Sequence, residues 1–187
     1  IIDSPAIAMK KRVGYVSKDR DVESLCLNAS IEDNISIAGM SEFAINNFLI
    51  LKNREKKYVN HQIEELSIKC AGRDQSVSQL SGGNKQKVVF GKWIGCGSEI
   101  LILDCPTRGV DIGVKQAMYQ LMVRLKNEGK SILMISEELP ELIGVCDRIV
   151  VMYEGKITGE LERCDFSQEK IMEFAVGGAK NENNGPK

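Results

Sequence analysis

"EILILDCPTRGVD", residues 99–111, is an apolar run that meets an acid, a cysteine and then a turn. Ile100 to Leu103 are continuously apolar, the pattern of a parallel strand covered on both faces. The run stops at Asp104, and an aspartate at the carboxyl end of such a strand lies where open α/β sheets receive ligands. Two readings follow for Asp104: it holds a divalent cation directly or through water, or it caps a turn. Pro106 reads as a turn-setter, and Cys105 stands between the two.

Outward from this stretch, strand-like runs alternate with amphipathic helices, which implies α/β construction. "RVGYVS" (12–17) and "SILMIS" (131–136) are predicted strands, the second buried like 100–103. Ser30 is predicted to cap a helix with Glu32 and Asp33 in its first turn and Gly39 near its end. "REKKYVNHQIEELSIKCAG" (54–72) places Val59, Ile63, Leu66 and Cys70 on one helical face, with Gly72 as the stop. Asp111 caps a further helix with Val114, Met118, Leu121 and Leu125 inward and Gly129 at its end. "DRIVVMYEGKITGELE" (147–162) reads as a hairpin turning at Glu154-Gly155, and Ser167 caps a last short helix. One domain is expected over 1–177, with a polar, disordered tail at 178–187.

The 187 residues suffice to bury a core. With 25 basic against 26 acidic residues there is no cationic excess to neutralise phosphate backbones, so nucleic acid is not the expected partner. The six cysteines (Cys26, Cys70, Cys96, Cys105, Cys146, Cys164) contain no Cys-x-x-Cys pair, and His61 is the single histidine; neither a zinc site nor a redox motif is indicated. Scattered thiols fit a reducing cytosol. No apolar run approaches the roughly 18 residues of a membrane span. The chain opens on Ile rather than Met, and the expectation is a fragment whose N-terminal part lies elsewhere.

"LSGGNKQK" (80–87) opens another helix. Glycines at a helix start let backbone N–H groups approach an anion, Ser81 adds a hydroxyl, and Lys85 and Lys87 enrich the neighbourhood in positive charge. Alone, Ser-Gly-Gly is weak evidence and more often only a helix-opening turn. Its spacing, one helix before Asp104, with a further strand ending in Ser136, would bring three loops to one sheet edge.

These stretches resemble a family. "LSGGNKQK", "LILDCPTRGVD" and "ILMISEELPEL…CDRIVVMYEGKITGE" are similar to the signature, the Walker B with D-loop, and the switch region of ATP-binding cassette (ABC) ATPases. "GYVSKDR" (14–20), "IEDN" (31–34) and "RGVD" (108–111) resemble, more narrowly, the second, C-terminal cassette of tandem ATPase subunits of ribose- and galactose-type sugar importers. The resemblance runs from about residue 5 to 177. It implies a partial P-loop NTPase-like α/β domain, with parallel core strands, a helical signature subdomain and a C-terminal hairpin.

No G-x-x-x-x-G-K-[ST] phosphate loop (Walker A) occurs in the chain; the family carries it just before the first residue seen here. The family's "DEPT" is "DCPT", so Cys105 occupies the place of the glutamate that orients the attacking water. A thiol with an ordinary pKa of about 8.5 is mostly neutral at pH 7 and positions water poorly. Ser136 stands at the switch-histidine position, and Lys18 where the subfamily has Glu. The resemblance therefore implies a non-hydrolysing half with Asp104 as a residual Mg²⁺ ligand. Its signature Ser81, Gly82, Gly83 and Asn84 would serve ATP bound by the partner cassette, and Asp111 would cross the same interface as well as cap its helix.

Implied cofactors are ATP and Mg²⁺ in the complete dimer or tandem subunit. Implied partners are the other cassette, integral-membrane permease subunits touched around "ISIAGMSEF" (35–43) and Lys18–Asp19–Arg20, and, indirectly, a substrate-binding protein. The implied location is peripheral, at the cytoplasmic face of the cell membrane. The isolated chain is expected to be inactive. The alternative is a non-catalytic, regulatory or relic module.

Overall fold

The computed structural model describes residues 1–45 and 49–178. These fall into two compact units, Ile1–Ile135 and Ser136–Lys187. Of the tail expected at 178–187, residues 179–187 lie outside the described residues.

In the first unit, helix α1 (Pro5–Lys10) leads into strand β1 (Val13–Val16) and a single π-helical turn, Arg20–Ser24. Helix α2 (Ile31–Ser36) follows, then α3 (Met40–Phe43), the short strands β2 (Ala44–Ile45) and β3 (Leu49–Ile50), and the long helix α4 (Lys52–Glu65). Helix α5 (Gly82–Gly95), strand β4 (Ile100–Asp104), helix α6 (Ile112–Asn127) and strand β5 (Ser131–Ile135) complete it.

Strands β1, β4 and β5 make a parallel sheet with β4 central: Gly14 pairs with Leu101 and Leu101 with Ile132. Gly14 has to be small, because a Cβ there would lie 3.0 Å from Trp93 Cβ on α5 and 2.8 Å from Ser98 Oγ. That close approach buries Val16, Leu101 and Leu103 completely. Each such side chain contributes about 1.5–3 kcal/mol.

The other sheet face is open among the described residues. Ile100, Leu133 and Ile135 are 42%, 57% and 49% exposed, so the expectation of strands covered on both sides is corrected. An unbroken apolar run shows that both faces of a strand tolerate burial, not that both are covered.

Helix α2 forms as expected, with a reciprocal capping box between Ser30 and Asp33. Gly39 lies beyond it and precedes α3. Helix α4 ends earlier than Gly72: Ser67 takes φ +50° and the Ile68 N–H bonds back to the Ile63 carbonyl. Its inward face is Val59 and Leu66 with the buried Glu55 and Gln62, while Ile63 is only half-buried. Helix α6 is capped by Asp111 and ends before Gly129 at φ +90°; Met122 joins the expected Met118, Leu121 and Leu125 in the core.

The second unit begins with helix α7 (Leu139–Val145), which the sequence reading left undescribed. Strands β6 (Arg148–Tyr153) and β7 (Lys156–Glu162) form the predicted hairpin. Its turn residues Glu154 and Gly155 both have positive φ, the twist such a turn requires. Helix α8 (Gln168–Ala175), capped by Ser167, places Ile171 against Ile149, Val151 and Leu161.

Candidate functional site

Asp104 ends β4 half-buried on the open sheet face, where Tyr15 donates its phenol hydrogen to Asp104 Oδ2 at 3.3 Å. Burial first, then the neighbouring Asp104 carboxylate, raises the Tyr15 pKa above its ordinary value, so this phenol stays protonated. Tyr15 is a partner the sequence reading missed; only the strand register, Tyr15 opposite Ile102, places it there.

Cys105 follows at φ +46°, a left-handed conformation uncommon outside glycine, and its N–H bonds to the Ile135 carbonyl at 2.9 Å. Its carbonyl accepts from the Arg108 N–H at 3.0 Å, closing a turn with Pro106 at the second position and Thr107 buried. Among the described residues no group of three His, Cys, Asp or Glu could hold a metal ion. Asp104 therefore fits Mg²⁺ only as a single carboxylate ligand beside phosphate oxygens.

Ser81 is the exposed N-cap of α5, and its hydroxyl makes no capping bond to the first N–H groups of that helix. Asn84 donates to Ser81 Oγ at 3.0 Å and accepts from the Lys69 N–H at 2.9 Å, which fixes the turn in place. The two glycines carry a packing duty the sequence reading missed. A Cβ at Gly82 would stand 2.9 Å from Arg20 Nη2 and 3.2 Å from the Gly109 carbonyl oxygen; at Gly83 it would stand 2.6 Å from Val114 Cγ2. No local signal in the sequence reveals either neighbour.

The expected cationic neighbourhood is also different. Lys85 pairs with Asp21 at 2.9 Å, and Lys87 donates to the Ser67 carbonyl at 2.8 Å. Burial, then the charge of Lys69, lowers the Lys87 pKa. The available positive end is thus the helix terminus rather than free ammonium groups.

Asp111 accepts from the Val114 N–H at 3.0 Å, the N-cap part of its expected role. Arg20 ties the loop after β1 to the turn after β4, donating to the Arg108 carbonyl at 2.8 Å and the Gly109 carbonyl at 3.4 Å. The structure so brings Arg20, Gly82, Gly109 and Val114 together. Ser136, in the second unit, donates to Glu141 Oε2 at 2.8 Å and accepts from the Glu138 N–H at 3.0 Å.

A parallel sheet whose central strand ends in an acid, beside a helix opened by two glycines, places the chain in the parallel-sheet class of α/β proteins. Solved structures similar to it agree in fold. One is the ADP conformation of an ATP-binding cassette of an ABC transporter, at TM-score 0.71 and 20% identity over 94% of this chain and 72% of that one. A second is a dimeric post-hydrolysis state of an ATP-binding cassette bound to ADP and Pi, at TM-score 0.69 and 17% identity over 86% and 68%.

Residues 3–108 match the ABC transporter family, and the chain belongs to it. It is homologous to the ribose import ATP-binding protein RbsA of Streptococcus agalactiae serotype III, 46% identical over 95% of this chain. The chain spans 36% of that relative's length. Among the described residues no helix is long and apolar enough to cross a membrane.

Proposed function

We propose that the chain is part of the ATP-binding cassette of a sugar importer, energising transport through ATP binding and hydrolysis. In this reading its own strand-end site does not hydrolyse nucleotide, and α5 serves ATP held by a partner cassette. The observation that carries it is the start of α5: a 14-residue helix opened by two glycines, with an exposed N-cap whose own hydroxyl does not bond to the first N–H groups. Such an end attracts and hydrogen-bonds a phosphate.

ATP supplies the phosphoanhydride whose cleavage drives the cycle. Gly82 and Gly83 offer backbone N–H groups, Ser81 offers a hydroxyl steadied by Asn84, and Asp111 orients the turn beside them. Positioning and charge stabilisation make up most of the catalysis of phosphoryl transfer, so donors supplied in trans carry real rate. Asp104 would hold Mg²⁺ as one ligand, while Cys105 supplies no carboxylate to orient water. The homology to ribose import proteins supports a sugar as cargo. Permease subunits would meet residues 35–43 and the Lys18–Arg20 loop, a substrate-binding protein would act through them, and the chain would sit peripherally at the cytoplasmic membrane face.

Equilibrium binding of a non-hydrolysable ATP analogue with Mg²⁺ tests the division of labour. The chain alone is expected to bind only in about the millimolar range, and saturable tighter binding should need the partner cassette. Low-micromolar affinity of the chain alone contradicts the proposal.

A further inference from the structure

Two consecutive residues outside the signature grip both its helix and the turn that follows the strand-end acid. Arg20 spreads its guanidinium over the carbonyls of Arg108 and Gly109, and its Nη2 lies where a Cβ on Gly82 would be, 2.9 Å away. Asp21 holds Lys85, in the first turn of α5, at 2.9 Å. The Arg20 and Lys85 side chains are only 16% and 13% exposed while Asp21 is 42% exposed, so water screens the Arg20 contacts less than the Asp21–Lys85 pair. Farther along α5, Lys92 donates to the Ser24 carbonyl, fastening the same π-helical turn a second time.

Gly109 has φ +66°, which sets the direction of a carbonyl that only a forked donor reaches together with its neighbour. A lysine presents one point donor and cannot span both carbonyls while leaving Gly82 its close contact.

We infer that Arg20 and Asp21 form a clamp holding the start of α5 and the turn between Cys105 and Asp111 in one fixed register. Arg20 is then a positioning residue for the nucleotide contacts of the signature, an inference that rests on the reading of α5 given above. Through the clamp, the amino ends of α5 and α6 are presented to a nucleotide as one body. Displacement of a reacting contact by about 1 Å is enough to cost about 10²-fold in rate.

The test pairs two readouts on Arg20→Ala and Arg20→Lys. Amide hydrogen exchange on the chain should rise together at residues 82–86 and 108–112 in Arg20→Ala, with residues 100–103 still protected. In the assembled cassette pair, kcat for ATP should fall about 10- to 100-fold with KM changed less than twofold, because ATP is held by the partner. Arg20→Lys should recover only part of that loss. In a Ser81→Ala background, Arg20→Ala should cost less than the product of the two single losses; a merely structural role would leave the losses multiplicative.

If Ser81→Ala and Ser81→Arg leave turnover unchanged, the reading of α5 fails and the positioning role goes with it. If they lower turnover while Arg20→Ala does not, or if exchange rises at only one of the two segments, the clamp alone is overturned.

Discussion

Gly83→Ala should destabilise the first unit through one identifiable collision. The new methyl would lie 2.6 Å from Val114 Cγ2 and 3.1 Å from Cγ1, whereas carbon atoms settle at about 3.5–4.0 Å. Roughly 1 Å must be found by shifting α5 or α6 or by turning Val114, and overpacking of this kind costs about 1–3 kcal/mol. Gly83 lies in the first turn, where alanine returns only a fraction of the about 1 kcal/mol it is worth in a helix interior, so the net loss is about 0.5–2.5 kcal/mol. Val114 is half-buried, and Val114→Ala alone should cost about 1 kcal/mol.

The double variant makes the room that the single one lacks, so it should be no less stable than Val114→Ala. That is a coupling of about 1–3 kcal/mol, well above the 0.3–0.5 expected of independent sites. Urea denaturation followed by the fluorescence of Trp93, the single tryptophan and part of α5, measures all four proteins. If Gly83→Ala matches the parent in stability, or the two losses simply add, the packing account of this glycine is wrong.

Tyr58→Phe should raise stability, because the Tyr58 hydroxyl is buried with no hydrogen-bond partner among the described residues, a burden of about 1–3 kcal/mol. Burial raises the Tyr58 pKa, so the unfolded chain loses this proton first: the contribution is complete below about pH 10 and declines above it. The stability advantage of Tyr58→Phe should therefore widen in urea titrations repeated above pH 10, and a constant difference would refute the burial. Asn34→Ala should cost about 1–2 kcal/mol, since it strips the Cys26 N–H of its acceptor and the Cys26 carbonyl of one of its two donors, the Ala29 N–H remaining. A loss under about 0.5 kcal/mol by the same assay would show that the loop does not depend on it.

Much of the fold is legible in the sequence because it rests on short-range rules. The Ser30 capping box, the Asp111 cap, the Glu154-Gly155 turn and the strand ending at Asp104 each declare themselves within a few residues. What is not legible depends on distant neighbours. Gly82 and Gly83 read as an anion cradle, yet their size is also dictated by Arg20, Gly109 and Val114. Lys85 reads as a free charge until Asp21, 64 positions away, is found against it. The end of α4 was misplaced because Ser67 adopts a backbone conformation usually left to glycine or asparagine. Tyr15 could be joined to Asp104 only through the parallel register.

The packing around Gly82 also narrows the choice of decisive variant. Gly82→Asp would push against Arg20 and the Gly109 carbonyl as well as against any nucleotide, so its loss would be ambiguous. Ser81 is exposed and, among the described residues, its hydroxyl accepts from Asn84, a close neighbour, so Ser81→Arg blocks the amino end of α5 with least disturbance to the core. Steady-state ATP hydrolysis by the assembled cassette pair, with and without that change, tests service to a partner's nucleotide most directly. A fall of about 10²-fold or more is the predicted result; turnover equal to the parent would contradict it.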